Sequence, residues 1–279
     1  MNILKHRLKS WRHRALQHYH DAVHGFAIDD LRRALEKLGL ASGDCVLVHS
    51  ALDAFPGFRG KPSEVIALLQ KIVGDSGHLL MPTMAFTSTA VDFVKSGAVL
   101  DVQRTPSKMG LLTELFRRMP TVVRSLHPTH PIAVWGRDAE RICADHHTAA
   151  TPCGKPSPFS HLLERDGKIL LLGPDIDVLT FYHYVEEALE SRFPQSPFTA
   201  ERYDSRVRDR DGNEIHCALR LFEPSLSKRR DLQLLKRAMT AANLYPVTTI
   251  GGAQVALLSA KAVLNTVAAM ADQGRYCYA

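Results

Sequence analysis

Histidines gather unevenly along this chain. Six of its fourteen, His127, His130, His146, His147, His161 and His183, fall between Arg124 and Glu186. Within that stretch His183 and Glu186 stand three apart in TFYHYVEEAL, which reads as helix, so both lie on one face. A carboxylate beside an imidazole orients the ring and favours its protonated form, which suits a general base near neutral pH. Surface ion pairs use the same spacing, so position must discriminate. The segment KILLLG, Lys168–Gly173, is nearly all apolar and runs into Gly-Pro-Asp shortly before that helix. Sites in α/β sheets collect at the carboxyl ends of strands, which is where this order places His183.

The elements that must carry the pair alternate. Asp29–Leu38 is an amphipathic helix ending at Gly39, and Cys45–Val48 is a short apolar strand. Ser63 caps a helix through Val73, and His78–Met81 is a strand stopped by Pro82. Lys108–Met119 reads as helix behind Thr105-Pro106-Ser107, and Ile132–Trp135 and Lys168–Leu172 are buried strands. After Phe193 the pattern changes to alternation around Asp211-Gly212, a β-hairpin signature, and Asp231–Asn243 and Ala253–Ala271 read as helices. The expected fold is an α/β three-layer α/β/α sandwich with an added C-terminal β-hairpin region. Residues 1–26 form a basic N-terminal segment and residues 27–279 a single domain.

Composition narrows the function. The chain has 279 residues, 45% hydrophobic and 23% charged, as soluble globular proteins do. No apolar run approaches the ~20 residues that span a bilayer, and the first twenty residues lack a secretory h-region. Five scattered cysteines without C-x-x-C suit a reducing cytoplasm, the expected location. The net charge of +6 favours anionic partners. Its basic residues are spread out and form no aromatic-interleaved motif, so nucleic acid is not an expected partner. In residues 1–24, Ile3, Leu4, Leu8, Trp11 and Leu16 recur at helical spacing among Lys5, Arg7, Lys9, Arg12 and Arg14. Such a segment can contact a membrane surface peripherally, or pack on its own domain or on the second subunit of a homodimer.

Four segments in order carry a resemblance: VHSALDAF; TPSKMGLLTELFRR with VVRSLHPTHPIAVWG; HHTAATPCGKPSP with LLERDGKILLLG; and TFYHYVEEAL. Together they resemble the aminoglycoside N3-acetyltransferase family, over roughly residues 27–272. The resemblance implies acetyl transfer from acetyl-CoA to an amine in an α/β/α sandwich without metal. Thr180, His183 and Glu186 match the family's T-x-x-H-x-x-E pattern, which implies His183 as general base with Glu186 orienting it. His147, ahead of the turn Gly154, Ser157 and Pro158, matches an upstream family histidine, with His146 one residue away. The loops Ser50, Ala51, Leu52 and Thr105, Ser107, Met109 are implied to line the acetyl-CoA cleft, although helix capping explains the same residues. Ser50 or Ser125 can add an oxyanion donor, and Ser125 joins the cofactor-binding set.

Other residues fit structural roles. His49 follows an apolar strand and is expected to be structural. His127 and His130 flank Pro128, where ligand contact and structure are equally open. Cys153 lacks a Cys-His-Asn pattern and is not expected to be a nucleophile. Relatives that act on aminoglycosides often carry a longer acidic insertion after the second strand; here Met84–Gln103 holds only Asp92 and Asp101 as acids. Pro131 and Val134 also stand where relatives often carry small or hydroxyl residues. An amino sugar is therefore the expected acceptor. Two other readings stand beside it: a metal-dependent hydrolase using His147, His183 and Glu186, and a non-catalytic sugar-binding relative.

Overall fold

The computed structural model describes residues 25–55 and 57–278. Its most apolar strands lie at the centre. β1 (Cys45–Ser50) runs parallel to β2 (His78–Pro82) on one side and β6 (Lys168–Leu172) on the other, with Val46 opposite Leu79 and Leu47 opposite Ile169. Parallel strands covered on both faces read as continuous apolar runs. β5 (Ile132–Trp135) and β4 (Val123–Arg124) extend the sheet antiparallel beyond β2. β10 (Ala253–Ser259) and β9 (Val247–Ile250) extend it beyond β6, completing seven strands in the order β4-β5-β2-β1-β6-β10-β9.

Alternate residues of each strand feed opposite cores. Leu47, Leu80, Ile169 and Leu171 face a layer of α5 (Ala139–Cys143), α6 (Pro158–Glu164), α7 (Phe181–Ala188), α9 (Gln233–Ala241) and α10 (Ala260–Asp272). Val46, Val48, Leu79, Met81, Leu170 and Leu172 face α1 (Ile28–Lys37), α2 (Pro62–Val73) and α4 (Leu111–Arg117). The expected three-layer sandwich is therefore what forms. Phe26 belongs to the second core, packed on Phe55 and Phe58.

β7 (Phe198–Arg208) and β8 (Glu214–Phe222) make the expected hairpin, with Gly212 at φ +90° in the turn. It is built into the molecule rather than appended. β7 pairs with β3 (Leu100–Asp101), and α3 (Ala90–Lys95) covers the resulting sheet through Val91 and Val94, making a third core with Val207, Leu219 and Leu221. Phe222, at the end of β8, then returns to the main sheet's site.

Two expectations are corrected. Ala253–Ala271 is not one helix: Ala253–Ser259 is β10, and Ser259 then caps α10 by accepting the Ala262 N–H at 3.2 Å. The open edge of β6 is the reason, since Val255–Ser259 pairs along it and sheet pairing overrides the helix propensity of Ala and Leu. The other helix starts late: Gly110, at φ +99°, is the residue before α4, so Lys108 and Met109 stay in the loop. Residues 1–24, with the basic amphipathic segment, lie outside the described residues.

Candidate active site

The carboxyl ends of β1, β2 and β6 open into a cleft of about 390 Å³ lined by His49, Ser50, Ala51, Lys108, Met109 and Thr180, and by His183 and Arg230. Gly173 makes the close approach there possible. It sits at φ +98°, and a Cβ would fall 2.8 Å from both the Ala51 carbonyl and the Phe55 ring. A second cleft, of about 710 Å³, adjoins the first at Ser50, Ala51 and Met109 and continues past Leu52 and Gly110 to Leu111. Leu111 is 60% exposed there, an apolar wall open to a ligand.

α7 carries His183 and Glu186. Phe181, Tyr182 and Val185 bury one face of the helix in the core, which fixes the rotation that turns His183 to the cleft. Glu186 Oε2 lies 3.0 Å from His183 Nδ1, and the carboxylate is fully buried. Arg230 donates to Glu186 from Nε at 3.2 Å and from Nη2 at 2.9 Å, and the Tyr278 hydroxyl donates to Oε1 as well. The Phe222 ring lies against His183, centroids 4.3 Å apart.

These contacts set the protonation states. Burial works against the Glu186 carboxylate, yet its bonds and charges from His183, Arg230 and Tyr278 together hold its pKa below the ordinary value. An ionised Glu186 accepts Nδ1–H, so the His183 lone pair is on Nε2. Burial, followed by the Arg230 charge, lowers the His183 pKa; the Glu186 contact opposes but does not outweigh them. The sequence expectation that Glu186 favours the protonated ring is thus reversed in net effect, and the neutral ring is the better base at pH 7.

The other expected residues divide. Ser50, Ala51, Leu52 and Met109 line the clefts. Thr105 and Ser107 do not. The Thr105 hydroxyl accepts the Asp101 N–H at 2.8 Å, and Ser107 Oγ accepts the Met109 N–H at 3.1 Å, so both shape the loop that presents Met109. Ser125 is buried away from the clefts, with Oγ accepting Ile132 N–H at 2.9 Å and meeting His146 Nδ1 at 2.9 Å. His147 does not join His183. His146 does approach it indirectly: it stacks on His127 at 4.5 Å, His127 meets His130 at 6.3 Å, and His130 meets His183 edge-on at 5.8 Å. Burial lowers the pKa of all three of these inner histidines.

The expected Gly-x-x-Ser-Pro turn is a helix start. Ser157 is the residue before α6, with Oγ donating to the Cys153 carbonyl at 2.7 Å, and Pro158 opens the helix. Gly154 backs onto the Glu187 carboxylate, leaving no room for a side chain. Burial pushes the Cys153 thiol well above its ordinary range, which disfavours a thiolate nucleophile. Among the described residues no three His, Cys, Asp or Glu side chains are grouped as metal ligands would be, so the His147, His183, Glu186 set does not assemble.

Arg230, Tyr278 and Phe222 were invisible to sequence reasoning. They lie 44, 92 and 39 positions from the dyad residues they touch, Arg230 and Tyr278 reaching Glu186 and Phe222 reaching His183. The short bridge between Arg230 and Tyr278 brings the first two together.

This arrangement, a buried His-carboxylate pair at the strand ends of a mixed α/β sandwich, fits enzymes that deprotonate a nucleophile. The sequence model of the aminoglycoside 3-N-acetyltransferase family matches residues 47–272. Aminoglycoside N(3)-acetyltransferase VII of Streptomyces paromomycinus is 29% identical over 255 residues, covering 84% of this chain and 88% of that protein. The crystal structure of aminoglycoside acetyltransferase AAC(3)-Xa superposes with a TM-score of 0.76 at 25% identity, covering 90% of this chain and 94% of that one. AAC-IIIb in binary complex with CoASH shares the fold, with a TM-score of 0.72 at 23% identity over 89% of this chain and 97% of its own. The chain belongs to the aminoglycoside 3-N-acetyltransferase family, and it is an acyltransferase.

Proposed function

We propose that the protein transfers an acetyl group from acetyl-CoA to an amine of an amino sugar or aminoglycoside-like acceptor, with His183 as general base. The observation that carries this reading is the His183 ring lining the cleft with its Nδ1 3.0 Å from the buried Glu186 carboxylate. An alkyl ammonium cannot attack a thioester. The acceptor nitrogen, its ammonium proton already lost to solvent, bonds to the carbonyl carbon while His183 takes one of its two remaining N–H protons; the C–S bond then breaks, and that proton passes to the leaving sulfur. The products are an amide and CoASH, with no other reactant. Glu186 stabilises the transient imidazolium, and Arg230 and Tyr278 keep Glu186 in place.

The adjoining clefts suit a long, jointed co-substrate. Ser50, Ala51 and Met109 form the wall common to both clefts, Leu52 and Leu111 offer apolar surface in the second, and Lys108 brings a cation to the first. Relatives named as aminoglycoside acetyltransferases support an amine acceptor. The two carboxylates of Met84–Gln103 are engaged within the segment, which favours an acceptor with few positive charges. Asp92 is spent on Thr89 at the start of α3, and Asp101 on the N–H groups of Gln103 and Arg104. The test is direct. Acetyl-CoA at about 100 Kd should stabilise the fold by about 2.7 kcal/mol, and an amine acceptor should release free thiol. Absence of both from folded protein overturns the reading.

A further inference from the structure

His49 is unaccounted for by the reading above. It sits near the end of β1, on the sheet face it shares with Leu47, the face that α7 covers. It lines the His183 cleft, is 7% exposed, and its Nε2 is buried with no hydrogen-bond partner among the described residues. Burial lowers its pKa to about 4, so the ring is neutral near pH 7. Buried polar nitrogens are normally bonded. Here the described residues supply no partner, and the ring lines the cleft that His183 also lines. The neighbouring Ser50 and Ala51 form the wall where the second cleft joins the first. A thioester threaded through the second cleft towards His183 has to pass this junction.

We propose that His49 donates a ring N–H to the thioester carbonyl oxygen of acetyl-CoA and holds the charge that develops there. The proposal rests on the acetyl-CoA reading above. As the amine nitrogen bonds to the carbonyl carbon, the C=O electron pair moves onto the oxygen facing His49. When the C–S bond breaks, that pair re-forms the carbonyl, and His49 keeps its proton throughout. A neutral imidazole serves because it donates without first having to lose a charge, as fixed oxyanion donors do.

The test uses the full chain with acetyl-CoA carrying a carbonyl ¹³C label and no acceptor. Binding should lower the infrared carbonyl stretch of the bound thioester in the wild type. His49→Phe keeps a ring but no donor. It should lose that shift, lower kcat by about 10²–10³-fold, and leave the Kd for acetyl-CoA within about threefold. His49→Asn restores an N–H and should recover part of the shift, which keeps the test decisive if the Phe variant folds poorly. The acid limb of the pH–rate profile, set by His183, should not move. An unchanged carbonyl shift and turnover in both variants overturns the assignment to His49. Failure of wild-type protein to bind acetyl-CoA overturns the co-substrate reading and this proposal with it.

Discussion

Glu186 is a fully buried carboxylate with three donors around it, two of which, His183 and Arg230, also line the cleft. Removing the imidazole by His183→Ala should lower kcat by roughly 10²–10⁴-fold and abolish the acid limb of the pH–rate profile, with little change in acetyl-CoA affinity. Glu186→Gln should cost less, since the ring remains but loses its orienting charge. Arg230 supplies a sharper check. Its charge is the second cause, after burial, holding the His183 pKa down. Arg230→Gln should therefore move the acid limb to higher pH, while leaving Glu186 short of a buried partner at a cost of about 3 kcal/mol. A pH–rate series on purified variant decides it; a limb displaced to lower pH contradicts the stated electrostatics.

At the scale of elements, α7 carries the proposed base on one face and a second titratable group beside it. Glu187 receives the Thr151 hydroxyl, while its Oε2 has no partner among the described residues. Burial raises its carboxyl pKa to about 7; the Thr151 bond and the Arg220 charge oppose this, and Glu190 adds to it. A carboxyl raised on folding stabilises below its unfolded pKa, and that contribution is lost as pH climbs through about 7. The loss is at most about 3 kcal/mol. Glu187→Gln mimics the protonated form, so the wild type should lose more melting temperature than the variant between pH 5 and pH 8. Buried histidines tilt both proteins the same way, so the difference between the two slopes isolates Glu187. Parallel slopes in calorimetry would remove the titration from the account.

What the sequence disclosed follows from range. Ile132–Trp135 and Lys168–Leu172 were legible to the residue because apolar runs bounded by turns are local signals. His183 with Glu186 was legible because helical spacing is local too. Arg230, Tyr278 and Phe222 reach the dyad through sheet and loop closure, which no local pattern encodes. Ala253–Ser259 was misread because its composition suits a helix and only the free edge of β6 makes it a strand. His49 was read as structural because a histidine ending an apolar strand gives no sign of which way an open cleft lies.

At the scale of the whole molecule, charge governs which partners approach. None of the described helices is long and apolar enough to cross a membrane. The basic pattern of residues 1–24 still predicts binding to anionic vesicles. Flotation with and without those residues checks this, and equal recovery of both forms would remove the segment from membrane contact.

The same positive balance bears on the acceptor. A polycationic aminoglycoside must approach a chain of net charge +6, and the cleft beside His183 presents Lys108 and Arg230 against one lining carboxylate, Asp177. Arg230 is neutralised by Glu186, and Asp177 already accepts from Gln233 at 2.8 Å. Repulsion between like charges slows encounter and is screened over about 10 Å at 0.1 M salt. Two outcomes follow for acetylation followed by thiol release. A mono-amino sugar should have a higher kcat/KM than kanamycin. For kanamycin, kcat/KM should rise as salt increases from about 20 to about 200 mM, because screening removes a repulsion. An enzyme with an acidic acceptor cleft behaves oppositely, since salt weakens its attraction for the polycation. Kanamycin preferred over the mono-amino sugar, with kcat/KM falling as salt rises, would place unpaired carboxylates at the acceptor position and overturn the charge argument, while leaving acetyl transfer itself intact.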